Sequence, residues 1–359
     1  MGPLARFVQD LYVATPSAVD VEEDAVDMEV IRVSVPEPVL TLALSTDGNP
    51  PLGSATAPTL PLHGRPADPE KLTEARQLFF GRETVGRLGP YSLISDVTDA
   101  ALLSLLDGIA VGVQESYVQR YGRVPIGRAV ETIVVYRREG PYRLLLSKWN
   151  RIHGLPASGH TGFGLVASYQ GDRLPAELAQ TLVHELVHLL NRRALGPALP
   201  PWLDEGIADD LSYSRTTSSG HLILGSLGEI RIEAANRYVL KGGLASLALL
   251  AQPRHGEWSG LPALLDLDWQ GFVGVDDIGL HYAESTFLVR CLLADRCGDG
   301  SRESFSSFLK GISEGGSAES SALLLSLDSE WSQVEAALRL YVRGEALEHG
   351  VLSEETEAR

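Results

Sequence analysis

The sequence predicts an α+β protein with a sheet-bearing N-terminal lobe and a mostly α-helical C-terminal lobe. Three observations carry this. Short runs rich in β-branched and aromatic residues, at 91–95, 132–136 and 162–169, read as strands. Between them, and largely beyond residue 215, apolar residues recur at helical spacing. The composition, 44% hydrophobic and 21% charged, is that of a chain able to bury a core, and 359 residues suffice for two lobes, 67–215 and 216–359.

In chain order, residues 1–66 hold an acidic cluster (Asp20, Glu22, Glu23, Asp24, Asp27, Glu29) and a Pro-, Gly- and Thr-rich stretch at 48–66. They read as an arm and linker, with short strands expected at 30–35 and 39–44. A helix is expected over 69–80 and a strand over 91–95. The segment 100–121 places Leu102, Leu105, Leu106, Ile109 and Val113 near i, i+3, i+4 and i+7 spacing, as in a packed helix. Thr-Ile-Val-Val-Tyr at 132–136 reads as a buried strand, and 162–169 as another, ending in the turn signal Gly171-Asp172. Residues 174–195 form the next helix, with Pro175 suited to its first turn and Gly196-Pro197 to its end. Helical segments at 283–295, 301–312 and 328–346 suggest a C-terminal α-bundle.

Composition also excludes partners. With 47 acidic against 30 basic residues, the net charge of -17 repels phosphate backbones, so nucleic acid is not expected. No apolar run approaches the roughly 18 residues that cross a bilayer, so no integral membrane span is expected. The first twenty residues lack the basic start and apolar core of a secretory signal, which points to a cytoplasmic protein, a secreted form with its signal removed being the alternative. Cys291 and Cys297 match neither a disulfide framework nor a C-x-x-C metal clip. Two buried thiols are expected, with a single disulfide as the alternative.

Residues 184–188 spell His-Glu-Leu-Val-His. On a helix, His184 and His188 project from one face, one turn apart, so both imidazoles can reach one metal ion. Glu185 lies about 100° around the helix, beside such a metal rather than on it, where a carboxylate can take a proton from activated water. Chance alone would put this pattern in roughly one or two chains per hundred of this composition. A catalytic zinc site needs a third protein ligand and an open fourth position. Glu205 supplies the candidate, in a helix that starts after Pro200-Pro201 and can fold back on the motif helix. Asp209 falls one turn further on the same face, placed to accept an N–H from a ligand imidazole.

His-Glu-x-x-His followed by Pro-x-Trp-Leu-x-Glu-Gly-x-Ala resembles the gluzincin metallopeptidases, in particular the thermolysin-like superfamily and its MA-like branch. The resemblance covers roughly residues 75–345, strongly at these two motifs and loosely elsewhere. It implies a zincin-like fold, with a mixed sheet and the motif helix in the first lobe, and a zinc-dependent peptidase, most simply an endopeptidase, acting on peptide or protein substrates. His184, His188 and Glu205 resemble the Zn2+ ligands, Glu185 the general base and Asp209 the acid that orients a ligand histidine. His281-Tyr282-Ala283-Glu284-Ser285 resembles a Tyr-x-x-Ser stretch near the cleft, which offers Tyr282 or His281 for oxyanion stabilisation. The family's edge strand before the zinc helix maps onto 162–168, so that Gly162, Phe163, Gly164 and Leu165 are expected to meet substrate backbone by β-augmentation. Departures narrow the choice: Asn191 and Ala194 stand where metzincins carry Gly and a third His, and no Gly-x-Met-Glu-Asn exopeptidase signature is present. The alternative is a zinc-binding, catalytically silent peptidase fold that serves as a binding or scaffold module.

Overall fold

The structure, a computed structural model, describes residues 67–125, 131–149, 157–216, 222–225, 227, 232–234, 237–239, 243–251, 258, 260–274 and 278–352. The 1–66 arm, with its two expected strands, lies outside them. Helix α1 (Pro69–Gln77) starts where Asp68 accepts N–H bonds from Glu70 and Lys71 at 2.9 and 3.2 Å. Then follow β1 (Thr84–Leu88), β2 (Tyr91–Ser95), α2 (Ala100–Tyr121), β3 (Thr132–Tyr136), α3 (Glu139–Trp149), β4 (Gly159–Gly162) and β5 (Leu165–Tyr169). The strands form one sheet in the order β1-β2-β3-β5-β4. Strands β2, β3 and β5 run parallel, while β1 and β4 close the edges antiparallel, so the sheet is mixed.

Period-two alternation explains why the inner strands read as continuous apolar runs: each feeds two cores. Ile133 and Val135 face one side with α2 and the next long helix, whereas Val134 and Tyr136 face the other with α1 and α3. All five residues of β3 and of β5 are buried. Helix α2 is capped by Asp99 and is long and apolar enough to cross a bilayer. Instead its Leu102, Leu106, Ile109, Val113 and Tyr117 stripe is buried in the first core.

Two helices follow the sheet, α4 (Pro175–Ala194) and α5 (Pro201–Ser212). Pro175 and Pro201 each open a helix where the missing N–H costs nothing. Beyond them come short hairpins β6 (Ser214–Thr216) with β7 (Leu222–Leu224) and β8 (Ile232–Ala234) with β9 (Arg237–Val239), then α6 (Gly243–Ala251), α7 (Leu261–Leu265), α8 (Trp269–Val273), α9 (Ile278–Leu293), α10 (Ser301–Ser313), α11 (Ser320–Leu327) and α12 (Trp331–Glu348). One hydrophobic core runs from Leu88 in β1 to Ala346 in α12, across residue 215. The α5–α9 crossing joins its two parts, and Gly206 allows the approach: a Cβ there would stand 2.7 Å from the Ser285 carbonyl oxygen.

Beside that crossing lies a buried charge network. Asp210 accepts from Arg120, from Tyr121 Oη at 2.6 Å and from Arg290 at 2.8 Å, linking α2, α5 and α9. Removing one member of a buried ion network leaves the others uncompensated, which costs about 3–5 kcal/mol. Asp210→Ala is therefore expected to lower unfolding free energy by about that amount, measured by urea denaturation.

The structure corrects several expectations. Residues 162–169 are not one strand: Phe163 and Gly164 adopt positive φ (56° and 72°), a two-residue turn that folds β4 back on β5. Strand β5 is interior and its backbone is taken by β3 and β4, so Leu165 cannot pair with an added strand. The outer edge belongs to β4, whose Gly-His-Thr-Gly carries no β-branched apolar run. The cysteines are not free thiols: Cys291 and Cys297 form a disulfide, Cα atoms 5.5 Å apart. Asp295, at φ 58°, reverses the chain beyond α9 and returns Cys297 to the last turn, which linear spacing along a helix does not suggest. Strand β1, helix α3 with its early Gly140-Pro141, and the β6–β9 hairpins are too short or too polar to carry a periodic signal.

Candidate metal centre

Helix α4 lies in the core with Leu182, Val183, Leu186, Val187, Leu189 and Leu190 buried around the motif, so its histidines stand on a rigid support. Helix α5 folds back against it. Together they bring His184, His188 and Glu205 to one point, each offering an atom within 4.8 Å of the others. His184 Nε2 lies 3.2 Å from Glu205 Oε2, His188 Nε2 lies 3.5 Å from it, and the two Nε2 atoms are 3.0 Å apart. His188 and Glu205 are buried, while the His184 side chain is 18% exposed, so the cluster opens to solvent on the His184 side.

The other ring nitrogens face carboxylates. His184 Nδ1 is 2.7 Å from Asp209 Oδ1, where only the imidazole can donate. His188 Nδ1 lies 3.0 Å from Asp204 Oδ1, in charge contact but obliquely to the ring N–H. Both contacts favour the tautomer with its proton on Nδ1 and its lone pair on Nε2. Three acceptor atoms then crowd together, and the buried Glu205 Oε2 has no well-formed hydrogen bond among the described residues. Such a set is repulsive unless it shares a cation. Where only protons are on offer, burial opposes charge on both rings. Asp209 and Glu205 nevertheless raise His184 well above its usual value, and Asp204 and Glu205 raise His188 to about 10. Burial works against the Glu205 charge too, but the two histidines hold that carboxyl well below the usual range. Two imidazoles and one carboxylate oxygen, with a solvent-facing side left for water, fit a divalent ion of the zinc type.

Glu185 is buried beside this cluster and is held by the edge strand. Thr161 Oγ lies 2.6 Å from Glu185 Oε2 and 2.8 Å from its backbone oxygen. Gly159 leaves the space Glu185 fills: a Cβ there would stand 2.6 Å from Glu185 Cγ and Oε1. Arg192 donates to the Thr161 carbonyl at 3.3 Å, a second tie between α4 and β4. Tyr282, in the second turn of α9, lies against the cluster. Burial, then Glu205 and Asp209, push its phenol well above the usual range, so it keeps its proton and can donate. His281 does not join the site, because its Nδ1–H donates to the Phe272 carbonyl at 2.9 Å and its ring packs on Phe272.

The motif residues, Glu205, Asp209 and Tyr282 thus converge. Of the four expected substrate contacts, Gly162 alone is on the edge strand, Phe163 and Gly164 form its turn, and Leu165 is buried in β5. Asp204, Thr161 and Gly159 escaped sequence reasoning. Asp204 precedes the expected third ligand and so reads as turned away, while Thr161 and Gly159 sit in a strand without apolar alternation. No family model and no curated protein matches this chain.

Proposed function

We propose that the chain is a zinc-dependent peptidase that hydrolyses peptide bonds, with His184, His188 and Glu205 holding the ion. The observation that carries the reading is the convergence of three lone-pair atoms from α4 and α5, with Glu185 held beside them and a buried Glu205 oxygen that has no well-formed hydrogen bond among the described residues. Zinc held there would supply Lewis acidity, polarising a carbonyl oxygen and acidifying water to a pKa of about 7.

The protein's own residues supply the rest. Glu185 takes a proton from the attacking water and delivers it to the leaving amine nitrogen. Thr161, donating to Oε2, leaves Oε1 free for that transfer and fixes the carboxylate rotamer. The protonated Tyr282 phenol donates toward the negative charge that builds on the scissile carbonyl oxygen. Among the described residues no strand pairs with the outer edge of β4, which suits an extended peptide laid antiparallel to it, past Thr161 and Glu185.

The test is turnover of a quenched-peptide panel with chelator inhibition and recovery on adding zinc. No cleavage by zinc-loaded protein across a broad panel would favour the silent scaffold. A sharper check is Gly159→Ala. Its methyl meets the Glu185 side chain and Thr181 Cγ2, the nearest atoms, neither of which belongs to an expected ligand, and misplacement of Glu185 by about 1 Å costs on the order of a hundredfold in rate. Peptide turnover is expected to fall by about that factor with zinc content unchanged.

A further inference from the structure

The buried face of α4 carries a residue that neither binds the ion in the proposed reading nor belongs to an apolar core. Asn191 is 0% exposed, among Leu186, Leu190 and Ala194. Burying an amide costs a few kcal/mol unless it is bonded, and this one is fully engaged in a single direction. Tyr117, from α2, donates its hydroxyl to Asn191 Oδ1 at 3.0 Å. Asn191 Nδ2 donates to Asp204 Oδ1 at 2.7 Å and to the Asp204 carbonyl at 3.2 Å. Asp204 Oδ1 in turn faces His188 Nδ1 at 3.0 Å. Because the Asp204 carboxylate and carbonyl can only accept, the NH2 must face α5; the amide oxygen then faces α2 and accepts from Tyr117. All four residues are buried, with Tyr117 0% exposed and His188 only 6% exposed.

We infer that Asn191 and Tyr117 are positioning residues for the metal centre, a buried rod that locks the Asp204 carboxylate against His188 and thereby sets ion affinity from α2. This rests on the zinc-centre reading. Asp204 has one oxygen contacted by both Asn191 and His188, so its rotamer is the joint between the rod and His188. Without the amide, the Asp204 carboxylate loses its bond from Asn191 Nδ2 and the Asp204 backbone carbonyl loses a second, so the side chain is free to turn away and His188 Nδ1 loses the negative charge that faces it at 3.0 Å. The His184 side works differently: Asp209 contacts the ring at 2.7 Å and is itself 18% exposed, so water can support it.

The experiment is zinc affinity of the full chain by competition with a chromophoric chelator, with the melting temperature of the metal-free protein alongside. Asn191→Leu keeps the branched shape of the side chain and removes the rod, and the zinc dissociation constant is expected to rise by about ten- to a hundredfold, the range for loss of an outer hydrogen-bond partner. Tyr117→Phe, which keeps the ring packing, is expected to weaken binding by a smaller factor and carries the test if Asn191→Leu does not fold. Combined with Asp204→Asn, the Asn191→Leu effect should largely vanish, because both changes break the same joint; combined with Asp209→Asn it should add. Unchanged zinc affinity in both single variants, with only lower melting temperatures, would overturn the inference and leave a packing network. A wild-type chain that takes up no zinc would instead overturn the zinc-centre reading, and the inference with it.

Discussion

In the zinc-peptidase reading, Glu205→Ala is expected to abolish zinc binding. Purified wild-type protein should carry about one zinc per chain by elemental mass spectrometry, as a site with three protein ligands and one open position does. The variant should carry far less. Two imidazoles remain, but the anionic donor is gone, and the loss should exceed the ten- to hundredfold cost of losing an outer hydrogen-bond partner. Glu205 also carries the negative charge that both histidines face, at 3.2 and 3.5 Å. Metal release should further leave the variant insensitive to a chelator in thermal unfolding, whereas the wild type should lose stability when zinc is withdrawn, because a ligand that binds only the folded state stabilises it. Absence of zinc from the wild type even after supplementation would reduce the histidine pair to a proton-sharing cluster.

Glu185→Gln separates the ion from the chemistry. The amide keeps the size of the side chain and can still contact Thr161, so the packing of β4 on α4 should persist. It cannot accept and return a proton. Peptide turnover is expected to fall by about 10²–10⁴-fold, the usual contribution of a general base, while zinc content stays at the wild-type level. The two variants thus give opposite patterns, metal lost in one and metal kept without turnover in the other. Appreciable turnover by zinc-loaded Glu185→Gln would sink the role assigned to that carboxylate.

Periodic signals were legible where one packing environment lasts for many residues. The segment 100–121 and the run 132–136 match α2 and β3 at both ends, because each is buried along one stripe or on both faces. The strand at 162–169 failed for a local reason: two positive-φ residues reversed the chain, and Phe163 is not a residue that announces such a turn. The disulfide failed for a similar one, since Asp295 turns the chain at a point where sequence spacing suggests a continuing helix end.

For the candidate site the division has a clear physical basis. Helical geometry alone puts His184 and His188 on one face and Glu185 off it, and the Pro-Pro start of α5 makes a fold-back of Glu205 and Asp209 reasonable; these are local consequences of 3.6 residues per turn, so the sequence carries them. Everything that holds those groups comes from elsewhere in the chain. Thr161 and Gly159 reach Glu185 from a sheet edge, Tyr282 arrives on α9 through the close approach at Gly206, and the Tyr117–Asn191–Asp204 rod crosses three helices. Such contacts depend on how helices and strands stack rather than on spacing along the chain, and only the tertiary structure could decide them.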